Sequence, residues 1–525
     1  MRRNVYDLAG QLTDTWDQLG FHSSSYYNGC GWVTASVDPT GYVVSFSFEP
    51  NGLSTGWTDS EGRGQSATYD ALNRVDITAD GNGNTTDTDY WPDGRVKQIT
   101  DELGAVTTFD VNFLDRTETR IEAYGVAGLQ RTITSYFNQV GFVTEVENGL
   151  GRSTYYEDNG LHQVWKVRDD HYMRKATNEY DGLGQPKKVK DALNDDTQEE
   201  YDGLERPTAA IDADGYKTQV ISDAMGAKVA EIDGLGHATK YVNDRLGRQI
   251  AIVDANGGVV RKEYDALYLR LIVDPVGNKT RYANDPDGRV IKEVDPLGHA
   301  TTYERDAAGR VTKTTDRLNG IREFGYDLND NKTSETWKVG TTTIDSFSWT
   351  YNAKNEMLTA MEGTSGYTFT FDELGRPKTQ TDPNGFTITT NYVNASDRID
   401  TVADSAGATR QYVYYDDTST SVSPDNVKYV TFSGAGLPNL RWDLSYNARD
   451  DVTEIKRYAD LTGTNLVASS TFQQDANGFL AVIDHRDAAG VLIDYFHYGH
   501  DAANRVTSEE SKVSGSSSTR AFTYD

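Results

Sequence analysis

Carboxylates dominate the groups that could do chemistry: 80 Asp and Glu stand against 51 Lys and Arg in 525 residues, a formal charge of −29 with histidine neutral. Converging pairs of them could act as general acid and base or hold calcium. DGNG at 80–83 and DADG at 212–215 have the composition of ion-binding loops, yet neither the 12-residue EF-hand spacing nor a nine-residue β-roll period surrounds them. Histidines gather once, in His497-Tyr498-Gly499-His500-Asp501 with His485 nearby. Residues three apart on a strand point to opposite faces, so these imidazoles are expected to stay apart rather than ligate a metal. No nucleophile elbow, phosphate loop or cysteine pair is present, and Cys30 is the lone cysteine. No catalytic residue, metal ligand or cofactor is nominated.

The aspartates follow a rule of position. A four-residue string that opens with Asp and closes with Gly begins at Asp17, Asp38, Asp59, Asp80 and Asp101, each 21 residues after the last, and Tyr6, Tyr27, Phe48, Tyr69 and Tyr90 keep the same interval. The series resumes at Asp191, Asp212, Asp233, Asp254, Asp274, Asp295 and Asp316, and a second one interleaves with it through Asp181, Asp202, Asp223, Asp244, Asp265, Asp285, Asp306 and Asp327. Asp can accept hydrogen bonds from backbone amides just ahead of it, and Gly tolerates the positive φ that such turns require. The turn residues are therefore Tyr69, Asp70, Asp80, Gly83, Tyr180, Asp181, Gly184, Asp233, Gly236, Asp244, Gly247, Arg248, Asp295, Gly298, Asp306, Gly309 and Arg310, with a structural role. His237 and His299 each follow a turn glycine and belong to the same pattern.

Turns 10 or 11 residues apart, separated by segments rich in Thr, Val, Ile and Tyr, specify an all-β chain. Arg289 to Val294 and Arg310 to Thr315 alternate apolar or β-branched with charged residues, so one face is drier than the other. Gly and Asp interrupt the chain too often for helices. About 25 units of two strands would make a flat ribbon roughly 240 Å long, but sheets twist and long ones curl, so the ribbon must spiral. With 37% hydrophobic residues, a hollow shell is expected over a filled solenoid. The aromatics at turn entrances (Tyr180, Tyr201, Tyr241, Tyr264, Tyr282, Tyr303 and Tyr326) are expected to stack as a ladder, and Arg74, Arg95, Arg248, Arg289, Arg310 and Arg376 to pair with turn aspartates.

The pattern Tyr-Asp-x-x-Gly-Arg, in YDGLGQ (180–185), FDELGR (371–376), NDRLGR (243–248) and RDAAGR (305–310), with Thr301-Thr302-Tyr303 after the alternate turn, resembles the YD repeat. That repeat defines the Rhs (rearrangement hot spot) proteins, the C components of insecticidal toxin complexes and the shell of teneurins. The resemblance implies a long antiparallel β-ribbon that spirals into a hollow cocoon, which in bacterial members encloses a toxic C-terminal domain. The sequence stops at Phe522-Thr523-Tyr524-Asp525, the start of another repeat, so a partial or open shell from a longer polypeptide is expected and no self-cleavage role carries over.

A single YD/Rhs β-shell region over 1–525 is expected, regular over 1–109 and 171–345, irregular over 110–170, and with longer, less regular repeats over 346–525. Residues 110–170 and 412–446 break the rhythm and are the candidate contact regions, and 511–519 reads as a flexible hairpin loop. The function that follows is a non-enzymatic shell module, secreted or at a bacterial cell surface although no signal peptide is visible. It would enclose a toxin or effector polypeptide and join the remaining parts of a longer Rhs polypeptide. The alternative is an adhesion or carbohydrate-binding surface with glycan partners, and a hydrolase would need a cleft of convergent carboxylates. No apolar run is long enough to span a membrane as a helix, and no basic stripe suits nucleic acid, so neither membrane insertion nor nucleic-acid binding is expected.

Overall fold

The computed structural model describes residues 2–169, 174–415, 422–513 and 515–524. These hold 47 strands and no helix. The repeat explains why. Strand Ala300–Arg305 runs into a turn and pairs antiparallel with Val311–Thr315, which turns again and pairs antiparallel with Gly320–Tyr326. In the turn between the first two, the Asp306 amide donates to the Arg310 carbonyl, the Gly309 amide to the Asp306 carbonyl, and the Arg310 amide to Asp306 Oδ1. Gly309 has φ of 88°, which makes this a tight turn closed by a residue in the left-handed region. Where glycine is missing, Asn73, Asn319, Asn355 and Asn504 take up that conformation, as the residue type best able to do so after glycine.

Alternate turns differ. At the tyrosine-bearing ribbon edge the pairing slips by one residue, as between Glu304 and Arg305, whereas no slip occurs where Val290–Val294 meets Ala300–Arg305. The strand-end tyrosine then reaches back over its neighbour. Tyr326 donates its hydroxyl to the Val311 carbonyl at 2.9 Å, Tyr90 to Val75, Tyr180 to Val164 and Tyr201 to Pro186. The expected tyrosine ladder is replaced by this brace. Equivalent tyrosines lie two strands, about 9.6 Å, apart, beyond the roughly 4.5–7 Å of ring contact. Guanidinium groups lie over the rings instead: Arg74 over Tyr90 at 4.4 Å, Arg310 over Tyr326 at 5.0 Å and Arg398 over Tyr414 at 4.6 Å.

The chain forms two compact units. One comprises Met1–Phe109, Glu122–Gly125 and Gly258–Gly385, the other Asp110–Ile121, Val126–Gly257 and Phe386–Asp525. Within each unit, an early and a late stretch of ribbon lie edge to edge and meet through their turns. In the first unit Arg63 bonds Asp330, 267 residues away. In the second Arg152 bonds Asp425, 273 residues away. This contact covers the turn tips. Leu328, at such a seam, is 40% exposed, whereas Leu318 on the opposite edge of the same ribbon is 82% exposed.

The ribbon is one layer thick. Among the described residues the buried hydrophobic side chains are Ala123, Ala209, Ala395, Val422, Val430 and Ala502, none larger than valine. The accessible surface is 29386 Å², against about 19,000 Å² for a compact monomer of this mass. The long antiparallel ribbon of two-strand repeats matches the expectation. Strands lengthen to ten residues in Thr342–Tyr351 and nine in Leu466–Gln474, whereas Pro377–Thr381, Thr387–Tyr392 and Ile399–Asp404 keep five or six. From Arg131 to Asp169 the strands keep the same antiparallel pairing, with Asn138 and Asn148 in place of turn aspartates. At the hairpin expected over 511–519, Ser511 faces Ser518 and Val513 faces Ser516, and residue 514 lies outside the described residues. Of the candidate contact region 412–446, residues 416–421 lie outside the described residues.

Removing the Tyr326 hydroxyl tests the brace. A buried hydrogen bond contributes about 1 kcal/mol, so Tyr326→Phe is expected to raise amide exchange in Val311–Thr315 and Gly320–Tyr326 about fivefold and to leave distant repeats unchanged. Unchanged exchange in both strands would show that the ring alone supports the edge.

Candidate functional site

Each turn aspartate spends its carboxylate on its own bracket. Asp70 Oδ1 accepts the Leu72 and Arg74 amides and its Oδ2 accepts Arg74 Nε at 2.7 Å. The Arg74 amide and side chain hold the Asp70 carboxyl below the usual range. Asp244 with Arg248 and Asp306 with Arg310 repeat the arrangement. Asp181 accepts the Leu183 and Gln185 amides, Asp233 those of Leu235 and His237, and Asp295 those of Leu297 and His299. Gly83, Gly184, Gly236, Gly247 and Gly298 all lie in the left-handed region that closes the bracket. Tyr69 donates to the Ser54 carbonyl.

Arginine carries the bracket onward. Arg310 Nη1 donates to the Asp327 carbonyl of the next turn on its edge, as Arg74 does to Trp91 and Arg206 to Asp223. One side chain therefore closes its own turn, braces the following one and supports the tyrosine ring between them. Arg289 and Arg376 pair with Asp285 and Asp372 as expected. Arg95 pairs with Asp93, because Trp91 occupies the turn-opening position. The predicted turn residues thus line two ribbon edges, and they do not gather into a cleft.

What they do gather into is the seams, which the sequence reasoning missed. In the first unit Asn329 Nδ2 reaches Asp80 Oδ2, Asn82 Nδ2 reaches Asp327 Oδ2, and Lys354 Nζ lies 2.5 Å from Asp101. Burial that would raise the Asp80 carboxyl is outweighed by hydrogen bonds from Asn84 and Asn329, and it sits low. In the second unit Asn477 Nδ2 bridges Asp212 and Asp214, Lys175 pairs with Asp450, and Arg449 lies between Asp451 and the Asp191 of the other layer. The two loops that resembled calcium sites therefore point their carboxylates at amide donors from the facing layer. A partner 245–275 residues away leaves no local signal. Only the surplus of Asn, Lys and Arg inside otherwise repeated turns hints at it.

One carboxyl pair does converge. Thr40 Oγ1 donates to Asp38 Oδ1 at 2.6 Å and lies 3.3 Å from Asp287 Oδ2 on the other layer, and Arg289 flanks Asp287 at 2.9 Å. Burial and the facing Asp38 carboxyl push Asp287 up to about 6. In the second unit, burial together with Asp475, Asp212 and Asp195 raises Asp214.

The imidazoles disperse, each to its own partner. His497 bonds Asp484 at 3.0 Å, His500 meets Asp475 at 3.3 Å, and His485 Nδ1 lies 2.6 Å from Ser470 Oγ. Ser470 has the geometry of a serine–histidine pair, with Arg457 donating to the same hydroxyl at 2.7 Å, but it is completely buried. A nucleophile that no substrate can reach acts as a packing bond.

Residues 285–321 match the RHS Repeat family pattern. The chain carries an RHS repeat at that stretch. Those residues span the Asp285 and Asp306 brackets and the strands between them. The RHS-repeat chain shares its fold with the crystal structure of TcdB2-TccC3-Cdc42, at 12% identity and a TM-score of 0.54 over 98% of this chain and 31% of that one. The structure of TcdB2-TccC3-TEV follows at 11% identity and 0.52, over 99% and 37%. That of TcdB2-TccC3 without its hypervariable C-terminal region gives 11% and 0.50, over 95% and 31%. The RHS-repeat chain thus spans about a third of the length of these chains and shares their fold. Among curated proteins, none matches it in sequence.

The Asp38–Asp287 contact gives the first unit's seam a pH dependence of known sign. A carboxyl raised from 3.8 to about 6 favours the closed seam most at acid pH, and that contribution is lost as pH rises between those values. Carboxylates held low, such as Asp80 and Asp327, lose their contribution only below their usual range, so the two effects separate. Amide protection in 38–42 and 285–289, corrected for intrinsic rates, is expected to fall from pH 5 to pH 7. Asp287→Asn should abolish the fall. Protection that rises over that interval, or a fall that survives the substitution, would refute the assignment.

Proposed function

We propose that the RHS-repeat chain is a non-enzymatic stretch of shell wall that encloses a polypeptide cargo, within a secreted or surface-displayed bacterial protein. The supporting observation is the ribbon's thickness: a sheet that buries no side chain larger than valine among its described hydrophobic residues has no core of its own and is suited to separate two spaces. The turn brackets serve that role, since they rigidify a single layer at both edges without a second sheet behind it. Turn aspartates such as Asp70 and Asp306 are committed to backbone amides and neighbouring cations.

The likeness to the TcdB2-TccC3 structures supports the same role. One of them lacks a hypervariable C-terminal region and keeps the matching fold, in line with a wall that stands independently of what it holds. The edges away from the seams carry uncovered apolar turn tips, Leu72, Leu183, Leu204 and Met225 on early ribbon and Val276, Leu297 and Leu318 on late ribbon, each at least 64% exposed. Inside the seams the same turn position is covered by facing ribbon. Further repeats of a longer Rhs polypeptide are the natural cover for the outer tips.

Limited proteolysis of the complete polypeptide that contains this chain tests the proposal. Peptides from outside the repeats are expected to survive proteinase K at least tenfold longer while the wall is intact, and to be lost at once after a denaturant opens it. Equal cleavage rates before and after opening would contradict enclosure.

A further inference from the structure

The second unit holds a cavity of about 670 Å³ against one face of the sheet, where strands of 386–410 meet the 412–446 region in which the repeat rhythm breaks. Register explains its floor. Val402 faces Arg410, Arg410 faces Phe432, and Phe432 faces Leu440, so one row of side chains crosses four strands. Trp442 lies in the next row, with its ring 4.9 Å from that of Phe432. The wall comes from a departure from the bracket. Here the turn is replaced by the longer Gly434–Asn439 connection, whose Leu437 and Pro438 stand at the rim. A Cβ on Gly434 would come within 2.9 Å of the Ala408 Cα, so only glycine lets this loop pack on the adjacent turn.

A guanidinium without a carboxylate partner stands at the cavity's edge. In a chain with 29 surplus negative charges, turn arginines are paired with carboxylates. Arg410 makes no ion pair among the described residues. Its guanidinium lies over Phe432 at 5.1 Å, donates to the Tyr412 hydroxyl at 3.3 Å and is exposed at the cavity's edge. Arg457 likewise has no carboxylate partner there, and lies over Trp442 at 5.7 Å. Asp404 lines the cavity too, but its Oδ1 is taken by the amides of Ala406 and Ala408. An apolar floor of exposed Phe386, Ile388 and Trp442 beside a guanidinium with free donors is complementary to an apolar body that ends in a negative charge.

We infer that this cavity binds an amphiphilic carboxylate, a hydrocarbon or aryl body of roughly 12 carbons whose carboxylate pairs with Arg410 while the tail lies on Phe432 and Trp442. The site is independent of the cargo that the wall encloses. Isothermal titration of the whole chain with dodecanoate is expected to give one site per chain, with dodecanol and dodecylammonium binding at least tenfold more weakly. A charge-assisted hydrogen bond of about 1.5 kcal/mol or more converts to about tenfold, so Arg410→Gln should weaken dodecanoate about tenfold and Arg410→Lys should restore part of it. Trp442→Ala should weaken dodecanoate and dodecanol alike. Arg322→Gln, which removes a guanidinium stacked on Trp337 in the other unit, should change nothing. Dodecanol binding as tightly as dodecanoate, or an Arg410→Gln variant of unchanged affinity with native amide exchange, would overturn the inference. Binding of an apolar peptide without dodecanoate competition would overturn it in favour of a polypeptide occupant.

Discussion

The carboxylate of the turn aspartate is the constraint on which the fold depends. A ribbon one layer thick cannot bury its turns, so each must satisfy its amides locally. Asp does so with one oxygen, accepting two amides, and gives the other to the arginine four residues on. The arginine then reaches the following turn and carries the tyrosine ring. Asp, Gly, Arg and Tyr are thereby parts of one device, and the negative charge of the chain is in large part its repetition.

Such brackets would contribute little one at a time if they were simple exposed ion pairs, for which roughly 0–1 kcal/mol is typical. Their effect comes from geometry, because the carboxylate is bonded to backbone and cation together and the cation to two turns. Propagation along an edge makes neighbouring repeats mutually dependent, as in other repeat proteins whose units rely on their neighbours. The seams add a second direction. Asn329 and Asn477 are turn residues that serve the facing layer, so the edge that ends one layer becomes the binding surface for the next.

Much of this was legible in the sequence, and the limits have physical causes. Asp306, Gly309 and Arg310 declare their turn because all their partners lie within four residues, or one repeat away. The all-β ribbon follows from their spacing. The seam between Arg63 and Asp330 was not legible, since it depends on where a curving ribbon returns after 267 residues, and curvature is a sum of small twists that no single residue announces. Tyrosine periodicity was visible but suggested ring stacking, because sequence gives the interval and not the strand separation. The cavity at Phe432 and Trp442 appeared only as a break in rhythm at 412–446, since its wall is made by a loop and its floor by side chains on different strands.

Within each unit, an early and a late stretch of ribbon are held together by their turns. Carbodiimide cross-linking with mass spectrometry addresses this directly, because it joins a lysine to a carboxylate only in contact. It should couple Lys354 to Asp101 in one unit and Lys175 to Asp450 in the other, at yields comparable to a within-layer pair such as Lys313 with Glu304. Cross-links confined to lysine–carboxylate pairs within one or two repeats of each other would contradict it.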